Sequence, residues 1–310
     1  MRVAVFFACC ESEYEIGCAA LQSLLNGLDG DSVDLYILDD ASPSRVGQRI
    51  STSIDLVNVC SVEHYLLPKS LGFRGTIQRT MIGLDWIASK PQEYDLVYQI
   101  DADALVLRND LGEFFNALML DRQGLYGVSY PMRKRDILLY LADLFPLGFS
   151  RRTVDGAIQR RWKFPRTKPT WWARFGWRAV LKGFRFRYIA GGFYVLGGRT
   201  LRALAESGIL RKEQSNFGFM SSDDLLLTTI VRGINHNVVD LGIDSSEWSR
   251  ALSTSEKTPL QTILDRRLFA VHPLKNTKAA WERREELSKY FENVAFLAST
   301  TNETARSSQQ

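Results

Sequence analysis

The triplet Asp101-Ala102-Asp103 sets two carboxylates at i and i+2, directly after the apolar run Leu96-Val97-Tyr98-Gln99-Ile100 and directly before a second one, Ala104-Leu105-Val106-Leu107. Carboxylates seldom interrupt sequence destined for burial unless something compensates their charge. Two of them with a small residue between can grip a hard cation, and a cation held there can neutralise a diphosphate as it departs. A solvated turn would use the same residues, and the triplet alone does not separate the two. A second signal comes from His272, one of three histidines, which closes a late apolar stretch as Val271-His272-Pro273-Leu274-Lys275. Imidazole can complete an oxygen-rich site for a borderline metal such as manganese. Lys275, three residues on, can meet a phosphate as a point charge. His64 and His236 lack such a setting and read as structural.

Three further clusters carry polar chemistry or unusual backbone. Asp39-Asp40 follows the β-rich run Val33 to Leu38. Gly191-Gly192 lies inside the aromatic, apolar run Tyr188 to Leu196, where glycine weakens a strand unless backbone or ligand must approach closely. Ser221-Ser222-Asp223-Asp224 opens an expected helix. Capping alone accounts for serines and carboxylates there. A general base for an acceptor hydroxyl would need the same carboxylates at a helix start facing a cleft.

Such residues do chemistry only if elements bring them together. The chain alternates short β-rich runs with amphipathic segments, which predicts an α/β fold with a mostly parallel sheet flanked by helices. Strands are expected at Val3 to Ala8, Val33 to Leu38, Val57 to Val59, Leu96 to Ile100 and Leu125 to Ser129, then at Asn237 to Leu241 and up to His272. Helices are expected near Glu13 to Asn26, Gly75 to Ala88, Asp110 to Leu118, Ser222 to Arg232 and Thr277 to Phe291. In an open α/β sheet ligands bind beyond the carboxyl ends of the strands, where loops converge and helix N-termini offer N–H groups. Both Asp39-Asp40 and Asp101-Ala102-Asp103 fall at such ends.

At 310 residues, 45% hydrophobic and 24% charged, the chain can bury a sizeable core. No linker composition or repeat divides it, so one domain is expected over residues 1–298, with an insertion at 132–187 and a disordered Ser/Thr/Gln-rich tail at 299–310. Cys9, Cys10, Cys18 and Cys60 form no zinc or disulfide pattern and suit a reducing compartment. No run of 18 apolar residues or signal-like start occurs, so a cytoplasmic protein is expected.

The insertion is the compositional outlier. Residues 151–187 hold twelve Lys and Arg against Asp155 alone, a local charge of +11 in a chain of net +4, leaving −7 for the rest. They also hold Trp162, Trp171, Trp172 and Trp177, four of the seven tryptophans. That composition suits peripheral contact of 133–187 with an anionic membrane face or a lipid-linked pyrophosphate, with the tryptophans at the interface. A lid packed by its own tryptophans is the plainer alternative. No nucleic-acid-binding motif accompanies the charge, so no nucleic acid is expected.

Taken in order, the N-terminal strand, Leu38-Asp39-Asp40-Ala41-Ser42, the Asp-x-Asp triplet, the glycine-bearing strand, the acidic helix start and the late histidine resemble the GT-A glycosyltransferase superfamily. The resemblance covers roughly residues 1–130 and 188–275. It implies a Rossmann-like, metal-dependent transferase that moves a sugar from a nucleotide-diphosphate donor, UDP by family habit, to a saccharide or lipid-linked saccharide. Bacterial surface polysaccharide or glycolipid synthesis, at the inner face of the membrane, is the implied setting. Carried over, Asp39 and Asp101 contact the nucleotide sugar, Asp101, Asp103 and His272 hold Mn2+ or Mg2+, Gly191 and Gly192 line the acceptor side, and Asp223 or Asp224 is the base. The segment Leu71 to Arg79 resembles the Gly-rich turn and Arg-bearing helix of family-two enzymes with different spacing, which places Arg79 at the donor; Lys275 is expected there through its phosphate contact. Inverting relatives carry Glu-Asp where this chain has Asp223-Asp224, and retaining relatives carry a C-terminal His and Lys more widely spaced than His272 and Lys275; inversion is the expectation, with retention as the alternative. A nucleotidyltransferase would need a Gly-rich loop where Cys9-Cys10-Glu11-Ser12-Glu13 stands. The non-enzymatic alternative is a degenerate nucleotide-sugar fold that binds a membrane or nucleic acid through its insertion.

Overall fold

A computed structural model describes residues 1–28, 30–72, 75–119, 121–144, 170–211, 223–241, 259–265 and 270–291. Its strands are β1 (Arg2–Cys9), β2 (Ser32–Asp39), β3 (Val59–Leu66), β4 (Leu96–Asp101), β5 (Leu105–Val106), β6 (Leu125–Pro131), β7 (Arg187–Gly197), β8 (Val238–Asp240) and β9 (Ala270–Val271). Seven of them form one sheet in the order β3-β2-β1-β4-β7-β6-β8, and β5 pairs with β9 in a second, two-stranded one. In the large sheet β7 alone runs antiparallel to its neighbours β4 and β6, while the remaining pairs are parallel. The expected α/β, mostly parallel architecture therefore holds.

The central strands are apolar along their whole length because both faces are covered. In β1, Val3, Val5 and Phe7 enter one core, and Ala4 and Phe6 enter the other. The first core is closed by α1 (Tyr14–Asn26), α2 (Val46–Ser53) and α4 (Leu111–Leu118), through Ile16, Leu21, Leu24, Ile50 and Phe115. The second is closed by α3 (Thr76–Ala88), α5 (Lys134–Leu144), α6 (Thr170–Leu181), α7 (Gly198–Glu206) and α8 (Asp223–Gly233), through Met81, Trp172, Leu204 and Ile230. A third, smaller cluster joins Leu105, Val271 and Leu274 to the helices Leu260–Asp265 and Lys278–Ser288 through Ile263, Ala280 and Leu287.

Two expectations change. The strand expected at Val57 to Val59 is β3, which starts at Val59 and runs to Leu66. Ser61, Glu63 and His64 hid it, because an edge strand with one partner tolerates polar residues that a central strand excludes. Of the insertion's tryptophans, Trp172 is buried and Trp171 and Trp177 are partly buried. Trp172 is 1% exposed, edge-on to Tyr140 at 5.6 Å, and Trp177 Nε1 donates to the Leu144 carbonyl at 2.7 Å. They seat α5 and α6 on the second core, since an indole buries a large apolar area. The rest of the insertion, residues 145–169, and the expected tail at 299–310 lie outside the described residues.

Candidate metal centre

β4 delivers Asp101 to the carboxyl edge of the sheet, in register with Ala8 of β1 and one residue beyond the Ile100↔Phe193 pair with β7. A tight turn follows, with Ala104 N donating to the Asp101 carbonyl at 3.0 Å, and the chain enters β5. Pairing of Leu105 with Val271 then sets the segment after β9 beside Asp103, where Leu274 N donates to the Asp103 carbonyl at 2.6 Å. His272 Nε2 thereby lies 3.1 Å from Asp103 Oδ1 and 4.0 Å from Asp101 Oδ2, and the Lys275 ammonium contacts Asp103 Oδ2. One ligand atom from each of Asp101, Asp103 and His272 falls within 4.8 Å of the others.

Several neighbours fix this geometry. Gln99, 3% exposed and two residues before Asp101 on the same strand, donates from Nε2 to Asp101 Oδ1 at 2.7 Å and orients that carboxylate. Its Oε1 is buried without a hydrogen-bond partner among the described residues. Arg284, 1% exposed, donates to the carbonyls of Leu274 and Lys275 and so clamps the loop that carries the histidine. A Cβ on Gly192 would lie 2.3 Å from Cγ of His272, so the imidazole packs on the bare backbone of β7. This close approach is a physical reason for glycine inside an aromatic strand.

The charges are strongly coupled. Burial pushes the Asp103 carboxyl up, but the hydrogen bond and charge of His272, then those of Lys275, outweigh it and hold the group well below the usual carboxylate range. Burial lowers His272, yet Asp103, then Asp101, raise it above its ordinary value overall. Lys275 is likewise raised, burial opposing and Asp103 prevailing. Two carboxylate oxygens and one imidazole nitrogen, fixed from behind and held ionised at Asp103, could hold a divalent cation.

The other expected residues are placed as follows. The Asp39 carboxylate is buried and accepts from Ser42 N at 2.8 Å, Ser42 Oγ at 2.6 Å and Gly47 N at 2.9 Å, closing the turn into α2. That turn contains Ala41 and Arg45 at φ 56° and 52°, a left-handed backbone that non-glycine residues adopt only when held. Arg79 pairs with the neighbouring Asp40 at 2.7 Å, and Asp40 also accepts from Leu71 N at 2.7 Å and Ser70 Oγ at 3.1 Å. Adjacent aspartates with different duties are not distinguishable in sequence. Asp223 and Asp224 begin α8, which is hung on β7 by the Ile189 N to Thr228 Oγ1 bond of 3.0 Å. Ser221, Ser222 and the side chain of Asp223 lie outside the described residues. Asp224 is close enough to Tyr130 and Tyr188 to act on both phenols. Sequence reasoning missed Gln99 and Arg284. Gln99 was signalled by an amide inside an apolar strand; Arg284, in a helix rich in charge, gave no signal.

No protein-family model matches the sequence, and no curated protein matches it. Among solved structures, the chain is similar to the bifunctional glycosyltransferase WbbM in its apo form, at 13% identity over 96% of this chain and 51% of that one, with a TM-score of 0.48. It thus spans about half the length of WbbM. It is also similar to the galactosyltransferase LgtC in complex with donor and acceptor sugar analogues, at 13% identity over 96% of this chain and 95% of that one, with a TM-score of 0.47. Mouse xyloside xylosyltransferase 1 in its apo form gives 12% identity over 90% of this chain and 99% of that one, with a TM-score of 0.46.

Proposed function

We propose that the protein is a GT-A-type glycosyltransferase, moving a sugar from a nucleotide-diphosphate donor, a UDP-sugar, to a hydroxyl of a saccharide or lipid-linked saccharide acceptor. The observation that carries this reading is the convergence of Asp101, Asp103, His272 and Lys275 from two distant stretches of chain at the carboxyl edge of the sheet. Asp101, Asp103 and His272 would hold Mn2+ or Mg2+. Bound there, such an ion supplies positive charge to the departing diphosphate.

The chain's own residues take the remaining roles. Lys275, bonded to Asp103 and 66% exposed at its side chain, reaches a phosphate oxygen by rotating its flexible stem. Asp39 shapes the β2–α2 turn that borders the nucleoside, and Arg79, anchored on Asp40, borders the donor from α3. Gly191 would line the acceptor side of β7, whereas the room beside Gly192 is taken by the imidazole of His272. Asp224, with Asp223 beside it, takes the proton of the acceptor hydroxyl. As that O–H bond breaks, the oxygen bonds to the anomeric carbon, and the carbon–oxygen bond to the diphosphate breaks with its electron pair leaving on the phosphate. In-line attack inverts the anomeric centre.

Peripheral contact with an anionic membrane face belongs to the same reading. It is supported by Arg174, Arg178 and Lys182, exposed along α6 beside Leu181, which is 80% exposed. No helix among the described residues is long and apolar enough to cross a membrane.

The test is thermal stabilisation by UDP, GDP, CDP and dTDP sugars, each with and without manganese, followed by product analysis with the stabilising donor. Stabilisation by one nucleotide only with metal is expected. No shift with any nucleotide would move the protein to the non-catalytic binding class.

A further inference from the structure

The strands β6 and β7 do not stop where β4 stops. The last β4 to β7 pair is Ile100↔Phe193, yet β7 begins at Arg187 and continues beside β6 through Ser129↔Ile189, Tyr130↔Tyr188 and Pro131↔Arg187. The register shift between Gly127 and Ser129 sets two steps of β6 against five of β7, so measured along β6 at roughly 3.3 Å per residue this two-stranded ribbon overhangs the carboxyl edge by about 10–13 Å. Its base carries Gly192 against His272, so the overhang borders the space above Asp101 and Asp103. A polar clamp stiffens it from one side: Arg187 Nε donates to Ser129 Oγ at 2.7 Å and its Nη2 to Asp240 Oδ2 at 3.0 Å, while Ser129 Oγ donates to Asp240 Oδ2 at 2.6 Å.

On this ribbon Tyr130 and Tyr188 stack across the strands, ring centroids 5.9 Å apart and planes 19° from parallel. Both are only partly buried, unlike the core aromatics of the same sheet. Burial, then the carboxylate of Asp224, raises both phenols, so they remain hydroxyl donors. At Tyr188, Asp136 adds to the effect and Arg133 opposes it, which brings the start of α5 to the same place. Aromatic faces, two O–H donors and a carboxylate acceptor thus meet on the ribbon whose base touches the metal centre through Gly192.

A sugar ring has an apolar C–H face and a rim of hydroxyls that both donate and accept. An aromatic surface beside a carboxylate fits both features, and the negative charge of Asp224 and Asp136 disfavours an anionic sugar. We propose that Tyr130 and Tyr188 form the platform that seats a neutral saccharide acceptor and turns its reacting hydroxyl towards Asp224. This rests on the glycosyl-transfer reading and adds the acceptor class and the residues that select it.

The experiment is saturation-transfer NMR on the full chain with manganese and the stabilising nucleotide. The probes are p-nitrophenyl glycosides of glucose, galactose, N-acetylglucosamine and mannose, with the glucuronide as the anionic counterpart. Contact with at least one neutral glycoside and not with the glucuronide is expected. Tyr188→Ala should weaken that binding by more than roughly tenfold, and Tyr130→Phe and Tyr188→Phe by roughly three- to tenfold each, through a lost hydroxyl bond. Stabilisation by nucleotide and manganese should persist in all three variants, which shows that they fold. Unchanged glycoside binding in the variants overturns the platform. So does preference for the glucuronide, or no contact with any neutral glycoside, in wild-type protein that nucleotide and manganese still stabilise. Failure of every nucleotide to stabilise the wild type removes the glycosyl-transfer reading first, and this proposal with it.

Discussion

Asp103 is held by two cations that a metal ion would have to displace or share, and this sets opposite pH dependences for folding and for metal binding. His272 is raised above its ordinary 6.5, so its contribution to stability is complete below that value and is lost as pH rises through the raised one. Asp103 is depressed below its ordinary 3.8, so its contribution is present above that value and is lost as pH falls through the depressed one. In chelator the melting temperature of the wild type should decline above neutrality relative to Asp103→Asn, which removes the pair; parallel profiles would disprove the coupling. Manganese affinity should instead rise over the same range, because the ligand is the neutral imidazole, and titration calorimetry at several pH values checks it. Asp103→Asn should also abolish metal-dependent stabilisation by nucleotide while keeping the fold. Gly192→Ala tests the packing of the imidazole: its Cβ would meet Cγ of His272 at 2.3 Å, so a stability loss of about 1–3 kcal/mol and a roughly tenfold weaker manganese affinity are expected.

Elements hold these residues through a few backbone bonds that denaturation can weigh. The segment after β9 is fixed to β5 by the Leu105↔Val271 register and to the helix Lys278–Ser288 by Arg284, whose guanidinium caps two carbonyls from a buried position. Arg284→Ala should cost about 1–3 kcal/mol in urea denaturation, since the carbonyls lose their donor. It should also weaken manganese binding, although Arg284 is not a ligand. The turn after β2 depends on Asp39 in the same way: Asp39→Ala strips Ser42 and Gly47 of their acceptor. A loss of about 1–3 kcal/mol without any nucleotide present would identify Asp39 as a residue that shapes the turn. A fold of unchanged stability that binds nucleotide poorly would give it the direct contact that the family resemblance implies.

Across the whole molecule the charge is divided, +11 over residues 151–187 against −7 for the remainder. A basic region of that density should bind vesicles containing phosphatidylserine at low salt and release them as ionic strength rises, and should ignore neutral vesicles. Co-sedimentation at 50 and 500 mM salt decides this; binding that salt leaves unchanged would point to apolar insertion instead, with Leu181 as the first residue to replace. Trp172 would be a poor choice, because its burial beside Tyr140 makes any substitution there a test of folding.

The central strands were legible in the sequence, because burial on both faces writes a strand such as Val3 to Ala8 as an unbroken apolar run, and so were Asp101 and Asp103, because carboxylates stand out inside such runs. The sequence also marked His272 and Lys275 through rarity and position. Where their partners lay was decided only in three dimensions. Asp103 meets His272 because two-residue strands far apart in the chain pair, and a pair that short has no periodicity to read. Gly192 is glycine because of an imidazole eighty residues later, and Tyr130 stacks on Tyr188 through a register that a bulge between Gly127 and Ser129 shifts. Aspartates 39 and 40 look alike in sequence and differ because successive side chains of an extended chain face opposite ways, one into its own turn and the other towards Arg79.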